Sequence, residues 1–311
     1  QSGFLIPSMV NSSNNGNSLM IPYYHVISES ADFTIQPRVY FNNDFLLENE
    51  YRQVGENFKH ISDFSFKKLS NGTKSHIFSN TTIDTSSENF DFSNIEINYE
   101  NTSNDTYLKR NKLKNSSLDN YNLLNSYLKF ETSNSDLDLL IETSVFKDLT
   151  KDKDSDKYHY ILPNFKISKL ISTSLNFDGD LIFSSYGALQ KRDTNITENY
   201  IINDLDYSSE NFTFKNGFVS NFNINYKNSS KDGKNSSSYR NNFKSENFIS
   251  TNYNIKYPLI KKNKFLNSTL TPKINLKYSP FKSKNISELD RNIFASNIFS
   301  NNRLGLMDKL E

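Results

Sequence analysis

The sequence predicts an all-β protein, an antiparallel up-and-down β-barrel that crosses a membrane with its strands, and three observations carry that expectation. Period-2 alternation of apolar and polar residues recurs through most of the 311 residues, whereas the 3.6-residue period of helices is hard to find. Many alternating runs reach the roughly 9–11 residues a bilayer-crossing strand needs, against about 5–6 for the strands of a sandwich. Only 35% of residues are hydrophobic, yet 25 Phe and 18 Tyr are spread in short bursts. That combination is foreign to disordered chains and suits a wall wet on one face.

The chain opens with GFLIPSMV (3–10) and LMIPYYHV (19–26), two strand-like runs that each carry a proline, Pro7 and Pro22. Proline has no N–H to give to a ladder, so within sheets it belongs at edges, bulges or weakened seams. Taken alone, these two mark bulges near the membrane rim. Pro37 lies fifteen residues beyond Pro22 and reads as bulge or strand-start chemistry. Asn15-Gly16, Asn71-Gly72 and Asn216-Gly217 are hairpin-turn signals.

Further along, Leu175, Phe177, Leu181 and Phe183 share a face opposite Asn176, Asp178 and Asp180. Phe218, Phe222, Ile224 and Tyr226 alternate with Asn221, Asn223 and Asn225, and Ile249, Tyr253, Ile255 and Tyr257 with Ser250, Asn252, Asn254 and Lys256. Leu270, Ile274, Leu276 and Tyr278 alternate with Thr269, Thr271, Lys273 and Asn275. Asp178, Asp180, Asn221, Asn223, Asn252 and Lys256 are expected to face the lumen. The pattern yields about fifteen strands. Connectors are short at Ser28 to Asp32, Gly55 to Asn57, Asn134 to Asp136 and Pro258 to Lys264. They are long and polar at Glu100 to Leu124, Lys147 to Lys157, Lys227 to Tyr239 and after Ser279, the asymmetry of outer-membrane barrels, whose short side is periplasmic.

Other chemistries find little support. A net charge of +1 does not favour nucleic acid as a partner. No apolar run reaches the roughly 18 residues of a membrane helix, and no signal peptide is visible at Gln1. With no cysteine, internal disulfides and thiolate metal sites are excluded. Asp152, Asp154 and Asp156 open like a calcium loop, but Lys157 and Pro163 occupy the positions of its Gly and Glu, so a solvated loop is expected. Gly72 to Ser75 reads as a hairpin tip rather than a phosphate loop. His25, His60, His76 and His159 are too dispersed for a metal motif, although separate strands could gather them. No catalytic residue, metal or cofactor is therefore expected, and the chain reads as a non-enzyme.

Specific blocks carry a resemblance. Gln1 to Ser8 (with Gly3, Phe4 and Pro7), Leu19 to Tyr24 (with Pro22, Tyr23 and Tyr24), Phe33 to Arg38 (with Pro37) and Glu48 to Arg52 (with Glu50) resemble, in order and spacing, the opening barrel strands of the LptD family of lipopolysaccharide-assembly proteins. Downstream, Leu270-Thr271-Pro272-Lys273 is similar to that family's L-x-P-(K/R) strand. Asn297-Ile298-Phe299-Ser300, Arg303, Gly305, Asp308 and Glu311 resemble its N-L-F-S…R-x-x-G-x-D-R-x-E segment, with Lys309 replacing the second Arg. From about Ser65 to Phe265 the assignment rests on continuity alone.

The resemblance implies a barrel of roughly 26 strands, of which residues 1–311 would form the first half or slightly more. The family's periplasmic jellyroll and remaining strands would lie outside them. It implies residence in the Gram-negative outer membrane, among its lipids, and insertion of lipopolysaccharide into the outer leaflet through a hydrated lumen. Implied partners are the plug lipoprotein LptE and, through the jellyroll, the bridge protein LptA. Pro7 and Pro22 would then weaken a lateral gate at the first strand, while Tyr23 and Tyr24 stand at the interface or line the early lumen. A general porin, a secreted β-adhesin and an enzymatic barrel are the competing readings.

Overall fold

The computed structural model describes residues 1–12, 16–42, 44–69, 72–113, 121–172, 178–193, 195–237, 239, 241–262 and 267–280. Its strands are β1 (Gly3–Phe4), β2 (Ser8–Ser12), β3 (Gly16–Met20), β4 (Tyr23–Ser28), β5 (Ala31–Tyr40), β6 (Phe45–Val54), β7 (Phe58–Leu69), β8 (Gly72–Asp84), β9 (Phe92–Thr102) and β10 (Leu123–Ser133). There follow β11 (Leu137–Asp148), β12 (Tyr158–Ile171), β13 (Gly179–Arg192), β14 (Ile196–Ser209), β15 (Phe212–Thr213), β16 (Val219–Lys234), β17 (Lys244–Lys256), β18 (Leu259–Lys262), β19 (Asn267–Leu270) and β20 (Lys273–Tyr278). A five-residue helix, α1 (Tyr107–Asn111), stands between β9 and β10. Eighteen strands belong to one sheet, and β18 and β19 pair separately.

The class expected from the alternation, all-β with antiparallel next-neighbour pairing, is the class observed. Five of the twenty segments continue a preceding strand across a short interruption: β2 after β1, β4 after β3, β15 after β14, β18 after β17 and β20 after β19. Rejoined, they make fifteen strands. All four prolines at these breaks, Pro7, Pro22, Pro258 and Pro272, directly precede the resuming segment. Each thereby coincides with the gap in its own strand, where proline has no N–H to give to a ladder.

The residues group into two compact units. In the first, successive antiparallel ladders run from β4 to β10, with β1 on β4, β2 on β3 and β3 on β5. The side-chain distribution inverts that of a water-soluble sheet. On β7, β8 and β9 the buried positions are Ser65, Lys67, His76, Phe78, Ser93, Asn98, Glu100 and Thr102, all polar but Phe78, while Phe66, Ile77, Ile97 and Tyr99 are exposed. A soluble sheet buries its apolar face; here polar groups satisfy one another on the covered face and the apolar row is left for a medium that is itself apolar.

The second unit repeats this arrangement on β16 and β17, which bury Asn225, Lys227, Ser250 and Asn252 and expose Ile224, Tyr226 and Ile249. Its polar face contains an asparagine ladder. Asn275 donates to Asn254, Asn254 to Asn221 at 3.0 Å, and Asn221 to Asn211 at 3.3 Å. Each amide offers two donors and two acceptor lone pairs, so one residue type can pass a bond from strand to strand along the face. Asp178 and Asp180 are exposed, and Leu175 to Phe177 lie outside the described residues.

Three connectors differ from expectation. The run from Lys227 to Tyr239 is strand as far as Lys234, because beyond the apolar band a ladder needs no alternation. There Asn228 donates to Asn247 at 2.8 Å and Ser230 meets Ser245 at 2.9 Å. Pro258 to Lys264 is no simple turn: β18 occupies Leu259–Lys262 and pairs with β19 in the register that β17 and β20 already share. The segment from Glu100 to Leu124 carries α1. Pro37 is neither a bulge nor a strand start, since β5 keeps unbroken register with β6 through the Pro37↔Leu47 pair.

Close approach of neighbouring backbone limits Gly179 and Gly187. A Cβ built on Gly187 would fall 2.5 Å from the Tyr200 carbonyl oxygen and 2.9 Å from the Phe165 ring. Gly187→Ala is therefore expected to lower stability by about 1–3 kcal/mol, the usual range for overpacking, read as a lower urea midpoint in detergent. Gly3→Ala, which meets nothing within 4 Å, is the control that should not move it.

Candidate functional site

The opening hairpin is broken at mid-height on both strands. Phe4 opposes Tyr23 and Ser8 opposes Met20, so three residues of one strand face two of the other, and the register slips by one across Leu5 to Pro7. Leu5 N–H donates to the Pro22 carbonyl at 2.9 Å. In a narrow antiparallel pair the second bond would return from residue 22, and Pro22 cannot make it. The same half-pair recurs one strand on, where Ile21 N–H donates to the Pro37 carbonyl at 3.2 Å with no bond returned.

Pro7 lacks its donor on a different side. Ile21 N–H to Pro37 and Phe41 N–H to the Asn17 carbonyl at 3.0 Å show that odd residues of β3 address β5, so even ones address β2. Ser8 opposite Met20 is then a hydrogen-bonded pair, and the nitrogen of Pro7, one residue earlier, turns to the far side of its strand. Within this unit neither β1 nor β2 has a ladder partner there. Phe4, Leu5, Ile6 and Met9 are all exposed along it, Ile6 by 89%.

Tyr23 and Tyr24, being adjacent in a strand, point to opposite faces. Tyr23 packs edge-to-face on Phe4 with ring centroids 5.0 Å apart, and Tyr24 opposes both Gly3 and Thr34 in its two ladders. Glu48, Glu50 and Arg52 alternate on β6 and so share the polar face. Glu48 pairs with Arg38 at 2.7 Å, and Arg52 Nε reaches Asp32 at 2.9 Å and Glu50 at 3.5 Å. Pro272 sits just before β20 and accepts from Tyr257 N–H at 3.0 Å, a third proline half-pair. Asn297, Phe299, Arg303, Asp308 and Glu311 lie outside the described residues.

Sequence reasoning missed what covers that polar face. Helix α1 lies on it with Tyr107, Leu108 and Asn111 buried. Its last carbonyl accepts from Arg38 Nη1 at 2.9 Å. A chain of bonds holds Tyr107: Asp63 to His76 Nε2 at 2.9 Å, His76 Nδ1 to Ser65 at 2.6 Å, and Ser65 to the Tyr107 hydroxyl at 2.7 Å. Ser65 thus bridges the imidazole and the Tyr107 hydroxyl, and the imidazole in turn bridges Ser65 and the Asp63 carboxyl. Burial pushes the Tyr107 phenol up to about 12, so it keeps its proton. Carboxylate, imidazole and hydroxyl follow the order of a hydrolase relay. Here, however, the serine is committed to Tyr107, and the surrounding strand amides are committed to ladders rather than free as oxyanion donors.

Around α1 gathers an apolar cluster of Tyr40, Leu46, Phe78, Leu108, Leu113, Leu124 and Leu149. Lys67 stands 4.3 Å over the Tyr40 ring and 3.2 Å from Asp44. From the β11–β12 connector Lys157 binds Asp105 at 2.8 Å and Asp154 at 2.9 Å, tying that loop to the approach to α1. Neighbouring carboxylates raise the Lys157 ammonium above its usual value. Among the described residues no three His, Cys, Asp or Glu side chains gather as metal ligands.

No family model matches the chain. Among curated proteins it is 38% identical over 56 residues to "LPS-assembly protein LptD" of Nitrosomonas eutropha, 18% of this chain and 8% of that protein. It is 43% identical over 56 residues to the protein of the same name from Ectopseudomonas mendocina, 18% of this chain and 6% of that one. A third, from Cupriavidus pinatubonensis, is 34% identical over 58 residues, 19% and 7%. The shared part thus spans less than a tenth of each of these relatives. A solved structure, "Bacterial polysaccharide outer membrane secretin", aligns over 88% of this chain and 93% of its own at 10% identity and a TM-score of 0.29, too low to carry an argument. The chain is therefore LptD-like over a local stretch of an all-β antiparallel sheet.

Proposed function

We propose that these strands form part of the wall of a Gram-negative outer-membrane β-barrel, and that the barrel inserts lipopolysaccharide into the outer leaflet through a lateral gate beside the first strand. The observation that carries this reading is the broken opening hairpin, whose exposed apolar edge bears a proline aimed at the missing neighbour. Lipopolysaccharide needs an apolar path for its acyl chains and a wet one for its sugars, which a permanently sealed wall cannot supply. Each backbone group left unpaired toward lipid costs several kcal/mol, so an opening seam has to be weak beforehand. Pro7 and Pro22 each remove a rung worth about 0.5–1.5 kcal/mol net. The polar face would line the lumen, where a plug such as LptE would sit, and delivery from a bridge protein such as LptA would precede it.

A photo-crosslinking amino acid at Ile6 tests the reading in cells. It is expected to capture lipopolysaccharide in transit, whereas the same group at Ile249, on the apolar face of β17, captures bulk lipid. Phospholipid alone at both positions would refute the gate. One observation favours a diffusion channel instead: α1 and the paired charges Arg38, Glu48, Lys67 and Asp44 crowd the polar face as a constriction does. That reading expects steady, ion-selective conductance in a planar bilayer, and a gated translocon expects little until α1 is released.

A further inference from the structure

The near-zero net charge conceals a segment of one sign. From Asn247 to Ser287 the chain has eight lysines and no acidic residue. Within it Lys256 and Lys273 stand directly opposite each other in the β17–β20 ladder. Like charges so placed destabilise a sheet unless something negative lies between them. Lys256, Lys261, Lys262 and Lys273 make no ion pair or side-chain hydrogen bond among the described residues.

The β18–β19 ribbon grows out of this pair. Every described side chain of Leu259 to Lys262 and of Ser268 to Leu270 is exposed, and an isolated two-stranded ribbon is marginal in water. Its register continues that of β17 and β20, so Leu259 and Leu270, which oppose each other, prolong the exposed row of Ile274, Leu276 and Tyr278. At its foot the Tyr257 ring lies 4.6 Å from that of Phe218, and Phe212 and Phe214 are exposed nearby. Aromatic rings cluster in this way where a β-wall meets the headgroup level. Beyond them come Lys261 and Lys262.

From this order of apolar row, aromatic ring and acid-free lysines, we infer that the β18–β19 ribbon lies in the headgroup layer of the adjoining leaflet and binds anionic phospholipid. Leu259 and Leu270 dip toward the acyl chains, and Lys261 and Lys262, farther out on the ribbon, neutralise headgroup phosphates. Apolar contact plus several lysines is the combination that retains a segment at an anionic surface. The inference rests on the membrane-wall reading proposed above.

Because the chain has no cysteine, single replacements report single positions. Ser268→Cys, labelled with an environment-sensitive fluorophore, is compared with Leu276→Cys in protein reconstituted into vesicles of phosphatidylcholine, with and without phosphatidylglycerol. Expected is quenching of position 268 by a headgroup-attached quencher only when phosphatidylglycerol is present. Adding Lys261→Glu and Lys262→Glu should demand about tenfold more anionic lipid for the same quenching. Position 276 should report acyl chains throughout. If 268 stays in water while 276 reports lipid, the ribbon inference fails and the wall stands; if 276 is also in water, the wall itself fails. Protection of 268 that needs an added periplasmic protein would overturn the lipid assignment in favour of a protein partner.

Discussion

Leu108→Ala is expected to loosen α1 while leaving the sheet beneath it intact. The leucine is fully buried between α1 and the polar face, in contact with the cluster that includes Leu46, Phe78 and Leu124. A five-residue helix has no stability of its own, so its order depends on this packing and on the bonds from Arg38 and Ser65. Truncating a buried leucine to alanine costs about 2–5 kcal/mol, and each 1.4 kcal/mol is about a factor of ten in an opening equilibrium. Hydrogen exchange of the α1 amides should accordingly accelerate by roughly 30-fold to 3,000-fold, with the β16–β17 ladder unchanged as internal reference. Under the translocon reading, conductance in a planar bilayer should rise in parallel; under the channel reading it is already steady before the change. Unaltered exchange at Tyr107 to Asn111 would show that α1 is held by the polar bonds alone.

Those polar bonds have an order that can be tested separately. Tyr107→Phe removes the hydroxyl but keeps the ring, leaving Ser65 to bond His76 only. A neutral buried hydrogen bond is worth about 0.5–1.5 kcal/mol, so Tyr107→Phe should accelerate α1 exchange by about tenfold or less, well short of Leu108→Ala. If the two variants matched, the apolar cluster would not be what seats the helix.

How much of this was legible beforehand follows from what each feature depends on. Strand number and faces depend on alternation, a local property, so Asn221, Asn223 and Asn225 against Ile224 and Tyr226 revealed β16 directly. Where the ladder leaves the apolar band that signal stops, and the strand from Lys227 to Lys234 passed for a loop. The proline breaks were legible because proline has one backbone defect wherever it stands; which side of the strand the defect faces needed the register. Helix α1 was hidden because one helical turn is too short for periodicity. Its hint was Tyr107 and Leu108, an adjacent apolar pair in a connector that is mostly polar. The partners of Arg38, Asp63, Ser65 and His76 could not be read, since these residues sit on β5, β7 and β8 and meet only across ladders.

Restoring the missing donors bears directly on the gate. Pro22→Ala supplies an N–H for the Leu5 carbonyl and completes the half-pair inside the hairpin. Pro7→Ala supplies one on the outer side of the first strand, where a closing strand would dock. At about 0.5–1.5 kcal/mol per bond, the double variant should favour the closed seam by roughly 5-fold to 150-fold, using a factor of ten for each 1.4 kcal/mol. Surface lipopolysaccharide in cells that depend on the variant is expected to fall by a comparable factor, with the protein still present in the outer membrane. Pro37→Ala is the discriminating control, because it completes an equivalent half-pair between β3 and β5, one strand further in, and should leave delivery near normal. A double variant with undiminished surface lipopolysaccharide would remove the gate role from both prolines, and equal defects in all three would trace the effect to general stiffening of the wall.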